Sequence, residues 1–449
     1  MGSGSGSARL LAWILLAITT YGFDLICITA LMPTVRDDLG GDELYGAVFS
    51  VFMLGSIVSL VVAGHLSDRL GPVYPGAIAP ALLAAGLLGV ALAPSMEMVV
   101  LSRALSGLGG GGILSTAYVA AGRGFPPEMR PRLFAIIGSG WTIPSLIGPW
   151  AADAVEAAWG WRWMFVLLVP WALMAALLAV PVVSRLTRPE THPGPLRNVG
   201  PAVVLAASAS LVLLGSGPSA DPIGSWRYLL VVPCAVVGFV ALRRLLPDGT
   251  LSARPGLPAA VASRGLLAMA FMTTNAFLPL ALVEFLDASV AGAGIVLTVA
   301  AVSWTAGAFL QAHLSRAWTP RGTARLGLVV VCVGIITSAA VIRSELPILV
   351  AYGTWAFSSI GMGLTYNTLS VYALDVAPAG GEGRTAASLQ LADPIGAAVG
   401  TGIGGVVVAT SLGFPGFWAI MAAVTVVGFA AASGLAQTAT SSSATVSGM

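Results

Sequence analysis

Two aspartates lie deep inside long apolar runs of this chain. Asp24 sits within the run 9–33, and Asp393 sits within the run 385–410. Charged side chains at membrane depth are energetically costly, and where they occur they usually handle ions, protons or ligands. Because a helix rises about 1.5 Å per residue, each carboxylate is expected roughly 13 Å from the nearer end of its run. Both are therefore candidates for proton coupling.

Arg103 is the expected partner of Asp24. It lies in the run 97–121, and we expect it roughly 9 Å deep from the same side as Asp24, which makes a direct or water-bridged pair feasible. Burial disfavours the charged form of a carboxylate, whereas a nearby cation favours it. Making and breaking this contact would change the proton affinity of Asp24. The alternatives are a structural carboxylate for Asp24 and a structural clamp for Arg103.

Asp393 shares a helix face with Gln390 and precedes Pro394. It is a candidate for binding a cationic substrate or a second proton, and the alternative is a hydrogen bond to a neighbouring helix. Polar and aromatic residues near the middle of the runs are candidates for lining a pocket, because aromatic rings hold flat apolar or cationic compounds. Helix packing or an interfacial position is the alternative for each. They are Tyr21, Trp141, Asn275, Trp304, Tyr366, Asn367 and Gln390.

The elements that must position these residues are membrane helices. A hydrophobic fraction of 57%, a charged fraction of 9% and a mean hydropathy of +0.91 exclude a soluble globule. About 20 residues of helix cross a bilayer core, and fourteen apolar runs approach or exceed that length. We predict an all-α polytopic membrane protein with spans at 9–33, 45–63, 74–93, 97–121, 133–157, 163–184, 199–217, 227–243, 259–283, 290–313, 324–342, 346–372, 385–410 and 415–435.

The arginines predict the orientation of these spans. With the N-terminus inside, only Arg36, Arg162, Arg227 and Arg343 fall in outer loops, and most of the others fall in inner loops or at inner edges. Basic residues favour the cytoplasmic side, so we predict an inner or plasma membrane protein with both termini cytoplasmic. Acidic residues near the outer ends are expected to be solvated, namely Asp153, Glu156, Glu284 and Asp287.

Several kinds of chemistry are excluded by residue type. The chain has no lysine, so it has neither a GxxxxGK[ST] phosphate loop nor a lysine Schiff base. We expect no metal site, because no CxxC-type spacing exists and no histidine has a second ligand at helical spacing. The predicted loops are too short for an extramembrane domain. We therefore predict no enzyme activity, no cofactor and no nucleic-acid partner.

An internal repeat divides the chain. The segment 64–69 closes the second span, and the similar segment 312–316 closes the tenth. Repeated halves place a substrate path at their interface near the midplane. The predicted organisation is a flexible leader at 1–8, a six-helix bundle at 9–184, two linker spans with cytoplasmic loops at 185–258, a second six-helix bundle at 259–435 and a disordered tail at 436–449.

Four motifs resemble those of the major facilitator superfamily, in particular its fourteen-span drug:proton antiporters. The segment 64–71 is similar to the loop signature G-x-L-x-D-R-x-G, although Pro72 and Val73 replace the usual basic pair. The segment 103–109 resembles the fourth-span motif R-x-x-x-G-x-G. The segment 140–149 resembles the antiporter motif, although Trp150 and Ala151 replace its closing glycine pair. Asp24, nine residues before Pro33, resembles the first-span D…ALP motif.

The resemblance implies a major-facilitator fold of two six-helix bundles plus two extra spans, and roles for the motif residues. Gly64, Asp68, Arg69 and Gly71 would form a conformational gate. In the outward-open state, Asp68 would dock on the N-terminus of the thirteenth helix near Arg384, where free N–H groups and the helix dipole attract a carboxylate. The residues of the antiporter motif are Gly140, Gly148 and Pro149.

The expected function is proton-coupled export of hydrophobic small molecules, such as drugs or natural products, by alternating access. Protons, a small-molecule substrate and membrane lipid are the expected partners of a monomer. An uptake symporter for a metabolite would use the same fold, and a membrane-embedded receptor or enzyme is the more distant alternative. The substrate itself is not specified by the sequence.

Overall fold

The protein is described by a computed structural model that covers residues 4–125, 130–184, 186, 199–216, 226–315, 317–377 and 382–435. Within these ranges the regular structure is entirely helical, with fourteen α-helices and short 3-10 turns at Asp42–Leu44, Thr250–Ser252 and Ala432–Gly434. The predicted tail at 436–449, the first residues of the leader and much of the predicted linker loops lie outside the described ranges.

Each of the fourteen predicted spans coincides with one helix, which confirms the all-α fold class. Eleven helices of the described part are long and apolar enough to cross a membrane, and α7 adds a shorter apolar helix, Val199–Val212. The helices are α1 Gly4–Leu39, α2 Tyr45–Leu70, α3 Val73–Ala91, α4 Met96–Gly124, α5 Arg130–Trp159, α6 Arg162–Val183, α7 Val199–Ser216, α8 Trp226–Leu245, α9 Leu257–Leu286, α10 Val290–Leu314, α11 Pro320–Arg343, α12 Ile348–Asp375, α13 Glu382–Val408 and α14 Gly413–Ala431.

Most helices extend beyond the predicted spans. α1 has 36 residues and begins at Gly4, so residues 4–8 of the expected flexible leader are helical. At about 1.5 Å per residue, α1 is about 54 Å long, well above the roughly 30 Å of a bilayer core. Hydropathy marks only the part of a helix that lipid requires to be apolar, whereas backbone hydrogen bonding continues into polar residues on either side.

The helices pack as two groups of six. In the first group, α4 packs on α2 and α3, α6 packs on α3, and α1 packs on α5 and α6. In the second, α9 packs on α13 and α14, and α12 packs on α10 and α11. The groups meet where α2 packs on α13 and where α5 packs on α10. These two seams, with α1 and α9 between them, bring residues of both halves together.

The hairpin of α7 and α8 lies over the seam between α2 and α13. α7 packs on α8 and α2, and it touches α13 less extensively. One apolar cluster joins the four helices and so places the two extra spans against both halves. It consists of Leu54, Ile57, Ala202, Leu205, Ala241, Leu245, Leu391, Ile395 and Ala398.

The two halves touch at the end of the bundle where α1 ends and α2 begins, which we call the outer end. The Ser50 hydroxyl donates to the carbonyl of Ala398 over 2.6 Å, and the Thr298 hydroxyl donates to the carbonyl of Ser145 over 2.7 Å. A Cβ added at Gly46 would lie 2.6 Å from the Cα of Gly405, so glycine is required for this approach of α2 to α13. The outer end is therefore closed at both seams.

Candidate functional site

The predicted pair of Asp24 and Arg103 is formed. α1 supplies Asp24 and α4 supplies Arg103, and an Nη1 of the guanidinium donates to Asp24 Oδ1 over 2.6 Å. Both side chains are completely buried. The helical rise places the two residues at similar depth, and the packing of α1 on α4 turns them towards each other.

This ion pair is only partly satisfied. Asp24 Oδ2 and the Nε and Nη2 atoms of Arg103 have no hydrogen-bond partner in the described part of the chain. Each buried polar atom without a partner costs about 1–3 kcal/mol. The guanidinium carbon lies 4.1 Å from the ring centroid of Phe52, and Tyr21 stacks on the same ring with a centroid distance of 5.9 Å. The pair is therefore joined by a single hydrogen bond and is bordered by aromatic rings.

A second buried pair lies in the other half, between Arg264 of α9 and Asp393 of α13. Arg264 Nε donates to Asp393 Oδ1 over 2.6 Å, and its Nη2 donates to Oδ2 over 2.8 Å. The Tyr366 hydroxyl also donates to Oδ2, over 3.1 Å. The Arg264 side chain is 3% exposed and that of Asp393 is 20% exposed. Asp393 thus differs from Asp24 in two ways: it accepts two parallel hydrogen bonds from one arginine, and its side chain is partly exposed.

Arg264 was not recognised as a site residue from the sequence. It is one of the arginines that the orientation argument places in inner loops or at inner edges. The structure places it seven residues from the start of α9, about 10 Å along the helix axis, within the packed bundle. Its position five residues inside the predicted run 259–283 was the available signal.

The candidate pocket residues fall into two aromatic groups. In the first half, Tyr21 contacts Trp141 edge to face with a centroid distance of 5.1 Å. In the second, Trp304 contacts Tyr366 in the same way, also at 5.1 Å. The indole of Trp355 donates to the Asn275 side chain over 3.1 Å.

The polar candidates Asn367 and Gln390 differ in what they contact. The Asn367 amide donates to the carbonyl of Gly363 one turn earlier in α12, so its recorded bond is local. The Gln390 side chain instead hydrogen-bonds Tyr118 of α4, in the opposite half. Gln390 therefore joins the halves, and it does so three residues before Asp393.

Asp68 of the predicted gate forms an ion pair within its own half of the protein. Its carboxylate accepts from Arg123 Nη2 over 2.8 Å, while Arg123 Nη1 donates to the carbonyl of Ser67 over 3.1 Å. Both residues belong to the first half. Arg69 is exposed at the last turn of α2, and Arg384 lies in the first turn of α13, with its side chain outside the described part.

The remaining residues of the predicted gate are two glycines, Gly64 within α2 and Gly71 directly after it. Gly64 faces Ser115 of α4, whose hydroxyl would lie 3.2 Å from an added Cβ. Gly71 ends α2 at a φ of 87°. That backbone conformation favours glycine, because other residues meet a steric penalty there.

The antiporter-motif residues lie between α1 and α10. Gly140 faces Ile18, and Gly148 faces Ile26, so both glycines allow α5 to approach α1. Pro149 packs against α10 instead, where a Cβ added at Gly294 would lie 2.7 Å from the proline Cβ. The motif thus borders both the interior of the first half and the seam with the second.

Two acidic residues that were expected to be solvated contact the opposite half. Asp153 Oδ1 accepts the backbone N–H of Ala291 over 3.0 Å, in the first turn of α10. Glu284 lies 3.6 Å from an Nη of Arg36 at the end of α1. Glu284 is nevertheless exposed, as expected, whereas Asp153 is only half-exposed and its carboxylate is bound by a backbone N–H of the other half.

Two helical bundles that meet along two seams, with a buried ion pair in each, define a multi-pass membrane protein with the architecture of a secondary transporter. A family model gives the more particular identification. The Major Facilitator Superfamily model matches residues 14–247, and the chain belongs to this superfamily.

Similar proteins and structures agree with this assignment. A probable multidrug-efflux transporter of Mycobacterium tuberculosis is 26% identical over 414 residues, covering 88% of this chain and 86% of that protein. The efflux pump LUC4 of a Fusarium species is 31% identical over 248 residues, 53% of this chain and 43% of the pump. The structure of a bacterial homologue of the lysosomal transporter Spinster, inward-facing and unoccupied, has a TM-score of 0.65 at 15% identity and covers 96% of this chain and 95% of its own.

Proposed function

We propose that this protein exports drug-like or natural-product small molecules across the cell membrane in exchange for protons. The names of the similar multidrug-efflux transporter and efflux pump support the direction and the substrate class. A single structural observation supports the coupling, namely the completely buried Asp24–Arg103 pair with its single hydrogen bond. The arginine distribution supports cytoplasmic termini, and the protein would act as a monomer in contact with lipid.

The pair would couple proton binding to the conformational change. Protonation of Asp24 removes its attraction to Arg103, and the freed guanidinium then requires another partner. In a low-dielectric site this change is large enough to bias two conformations. Proton binding and substrate binding would compete, so that inward proton flow drives efflux. Asp393 is a second proton-binding candidate in this scheme, and Tyr21, Trp141, Asn275, Trp304, Tyr366, Asn367 and Gln390 would line the substrate path.

The gate would alternate between two partners of Asp68. In the structure, with the outer end closed, Asp68 pairs with Arg123. In the outward-open state its carboxylate would move to the free N–H groups at the start of α13, next to Arg384. Gly64 and Gly71 would allow the approach, with Arg69 beside them. Gly140, Gly148 and Pro149 would keep the outer seam of α5 closed while the inner side is open.

The experiment compares two aspartates of the same helix. Asp24→Asn keeps the shape of the side chain but holds it uncharged, so we expect proton-driven efflux to be lost while substrate binding remains. Asp38→Asn is the matched control, because Asp38 also pairs with an arginine, Arg162, but both side chains are more than a third exposed. The measurement is efflux from proteoliposomes with an imposed pH gradient.

The possible results separate the mechanisms. Undiminished gradient-driven transport by Asp24→Asn would remove Asp24 from the coupling. If cells that lack the protein accumulate less of the compound rather than more, the protein is an uptake symporter. A loss of efflux in Asp24→Asn supports the coupling only with normal transport by Asp38→Asn, which shows that a lost aspartate on α1 does not by itself inactivate the protein.

A further inference from the structure

Arg264 is anchored independently of Asp393. Its Nη1 donates to the Ser370 hydroxyl over 2.7 Å and to the carbonyl of Tyr366 over 3.3 Å. The guanidinium carbon lies 3.2 Å from the ring centroid of Tyr366. α12 therefore holds one side of the guanidinium, while the Nε and Nη2 edge points to Asp393. This edge presents two parallel N–H donors that can bind a carboxylate, and in the structure it binds the carboxylate of Asp393.

Asp393 is the member of the pair that is free to leave. Its side chain is 20% exposed, whereas that of Arg264 is 3% exposed. It directly precedes Pro394, which lies inside α13 and has no N–H to donate. The carbonyl of Gln390, four residues before the proline, consequently lacks its helical donor. A helix is easiest to bend at such a point, so Asp393 can swing away more easily than Arg264.

Charge balance limits what can replace Asp393. Protonation of Asp393 alone would leave Arg264 as an unpaired cation in the bundle interior, which is strongly unfavourable. An uncharged carboxylic acid avoids this outcome. Its O–H bond breaks and the proton forms an O–H bond on Asp393, while the new carboxylate takes the Nε and Nη2 edge of Arg264. The site has zero net charge before and after the exchange.

Aromatic rings that could contact the apolar body of such a ligand adjoin the ion pair. Tyr366 contacts Trp304, and Phe271 contacts both Trp304, at a centroid distance of 6.1 Å, and Trp355, at 4.8 Å. Trp304 and Tyr366 are partly exposed beside the ion pair, whereas Phe271 and Trp355 are buried and support them. We propose that Arg264 and Asp393 form a binding site for weak organic acids with a flat apolar body, taken up in the uncharged form. This inference rests on the proposed export function and names a substrate class for it.

The site also contacts both halves of the protein. Gln390 lies on the same face of α13 as Asp393, and its side chain hydrogen-bonds Tyr118 of α4. The charged and titratable groups recorded around Asp393 are Arg264 on α9, Tyr366 on α12 and Tyr118 on α4. Arginine and tyrosine ordinarily titrate at pH 10 or above. The arginine and tyrosines therefore keep their protons between pH 5 and 8, and among these groups Asp393 is the one that can accept the proton of a bound acid.

Binding to the purified full-length protein tests the proposal without a proton gradient. The probes are 2-naphthoic acid, its methyl ester and 2-(aminomethyl)naphthalene, measured by calorimetry in buffers of different ionisation enthalpy. For the wild type we expect the acid to bind more tightly than the ester or the amine. Above the pKa of the free acid, one proton should be taken up per molecule bound, and affinity should fall about tenfold per pH unit.

The variants test each partner separately. Arg264→Gln should lose at least roughly tenfold in affinity for the acid and retain that for the ester. Asp393→Asn should bind the naphthoate anion without proton uptake, so its affinity should not fall with pH. Arg325→Gln is the matched control, because Arg325 also lies near an aromatic ring, Phe429, at 4.2 Å and donates to a serine, but has no acidic partner among the described residues.

The outcomes decide between the proposals. Equal wild-type binding of ester or amine and acid, or unchanged acid binding by Arg264→Gln, would overturn the acid site. If Arg264→Gln does not fold, the proton uptake of Asp393→Asn decides, and uptake equal to that of the wild type would also overturn it. Efflux of neutral or cationic compounds without acid binding would leave the export function intact, whereas acid binding without efflux would overturn the export function alone.

Discussion

The contact between Asp153 and the first turn of α10 predicts a latch at the outer end of the protein. Its carboxylate accepts the N–H of Ala291 over 3.0 Å, across the seam between the halves. Thr298 and Gly294 of the same helix contact Ser145 and Pro149 of α5, so Asp153 ends a continuous seam. Because the contact crosses the seam, opening of the outer end would break it. We expect Asp153→Asn to shift the protein towards the outward-open state.

The magnitude follows from the electrostatics of helix ends. A carboxylate at a helix N-terminus contributes typically about 0.3–1 kcal/mol, and up to about 2 kcal/mol when partly buried. Asp153 is half-buried, and asparagine retains an oxygen that accepts the Ala291 N–H. We therefore expect a loss of about 1 kcal/mol, which is roughly a fivefold change in the ratio of outer-open to outer-closed molecules. The shift should weaken at high salt, because ions screen a half-exposed charge.

Distances between spin labels at the outer end measure this ratio. Trp159 at the end of α5 and Leu346 between α11 and α12 are both exposed and belong to different halves. Cysteines at these positions can be labelled after the native Cys27, Cys234 and Cys332 are replaced by alanine. The long-distance population should increase in Asp153→Asn.

The control is a neighbouring acid on the same helix. Glu156→Gln removes an equal charge one turn further along α5, at a residue whose side chain has no hydrogen bond or ion pair with α10 in the described part of the chain. It should leave the distance distribution as in the parent protein. If Asp153→Asn gives the same distribution as Glu156→Gln, the latch does not contribute to closure, and the helix-dipole argument fails at this site.

Two further substitutions test the closed outer end and the inner gate. Gly46→Ala places a Cβ 2.6 Å from the Cα of Gly405, so it should separate α2 from α13 and raise the long-distance population of the spin labels. Gly353→Ala is the control, because Gly353 has open space around it and the distances should not change. An unchanged distribution in Gly46→Ala would mean that the backbones relax without opening of the outer end. Asp68→Asn removes the 2.8 Å ion pair with Arg123. In the outward-open state it would also remove the negative charge that is proposed to interact with the N-terminus of α13. It should therefore slow transport without loss of substrate binding, and transport at the parent rate in proteoliposomes would contradict a gating role.

Most of the fold was predictable because lipid imposes a simple rule. Every backbone polar group in a bilayer core requires an internal partner, so each long apolar run becomes a helix. All fourteen helices were located in this way, and the motif residues marked the two halves. The helical rise also predicted that Asp24 and Arg103 lie at one depth, and the pair forms at 2.6 Å. Their roles in coupling remain a prediction.

Rotation about each helix axis was not predictable in the same way. A helix that is apolar on all sides shows no stripe that identifies its buried face. Arg264 was therefore assigned to an inner edge, although its guanidinium turns inwards to Asp393. Asp153 was expected to be solvated for a similar reason, because a residue near a helix end is solvated or bound depending on whether the other half is close.

The sequence by itself determined the class of protein, the helices and the common depth of Asp24 and Arg103, because hydropathy and the rise per residue depend only on the chain. Only the tertiary structure decided which charges meet. In that structure Asp24 has one hydrogen bond to Arg103, whereas Asp393 has two parallel hydrogen bonds to Arg264. The tertiary structure also placed α7 and α8 over the seam between α2 and α13. The physical reason is that contacts between helices depend on close packing of both surfaces, which no single helix encodes.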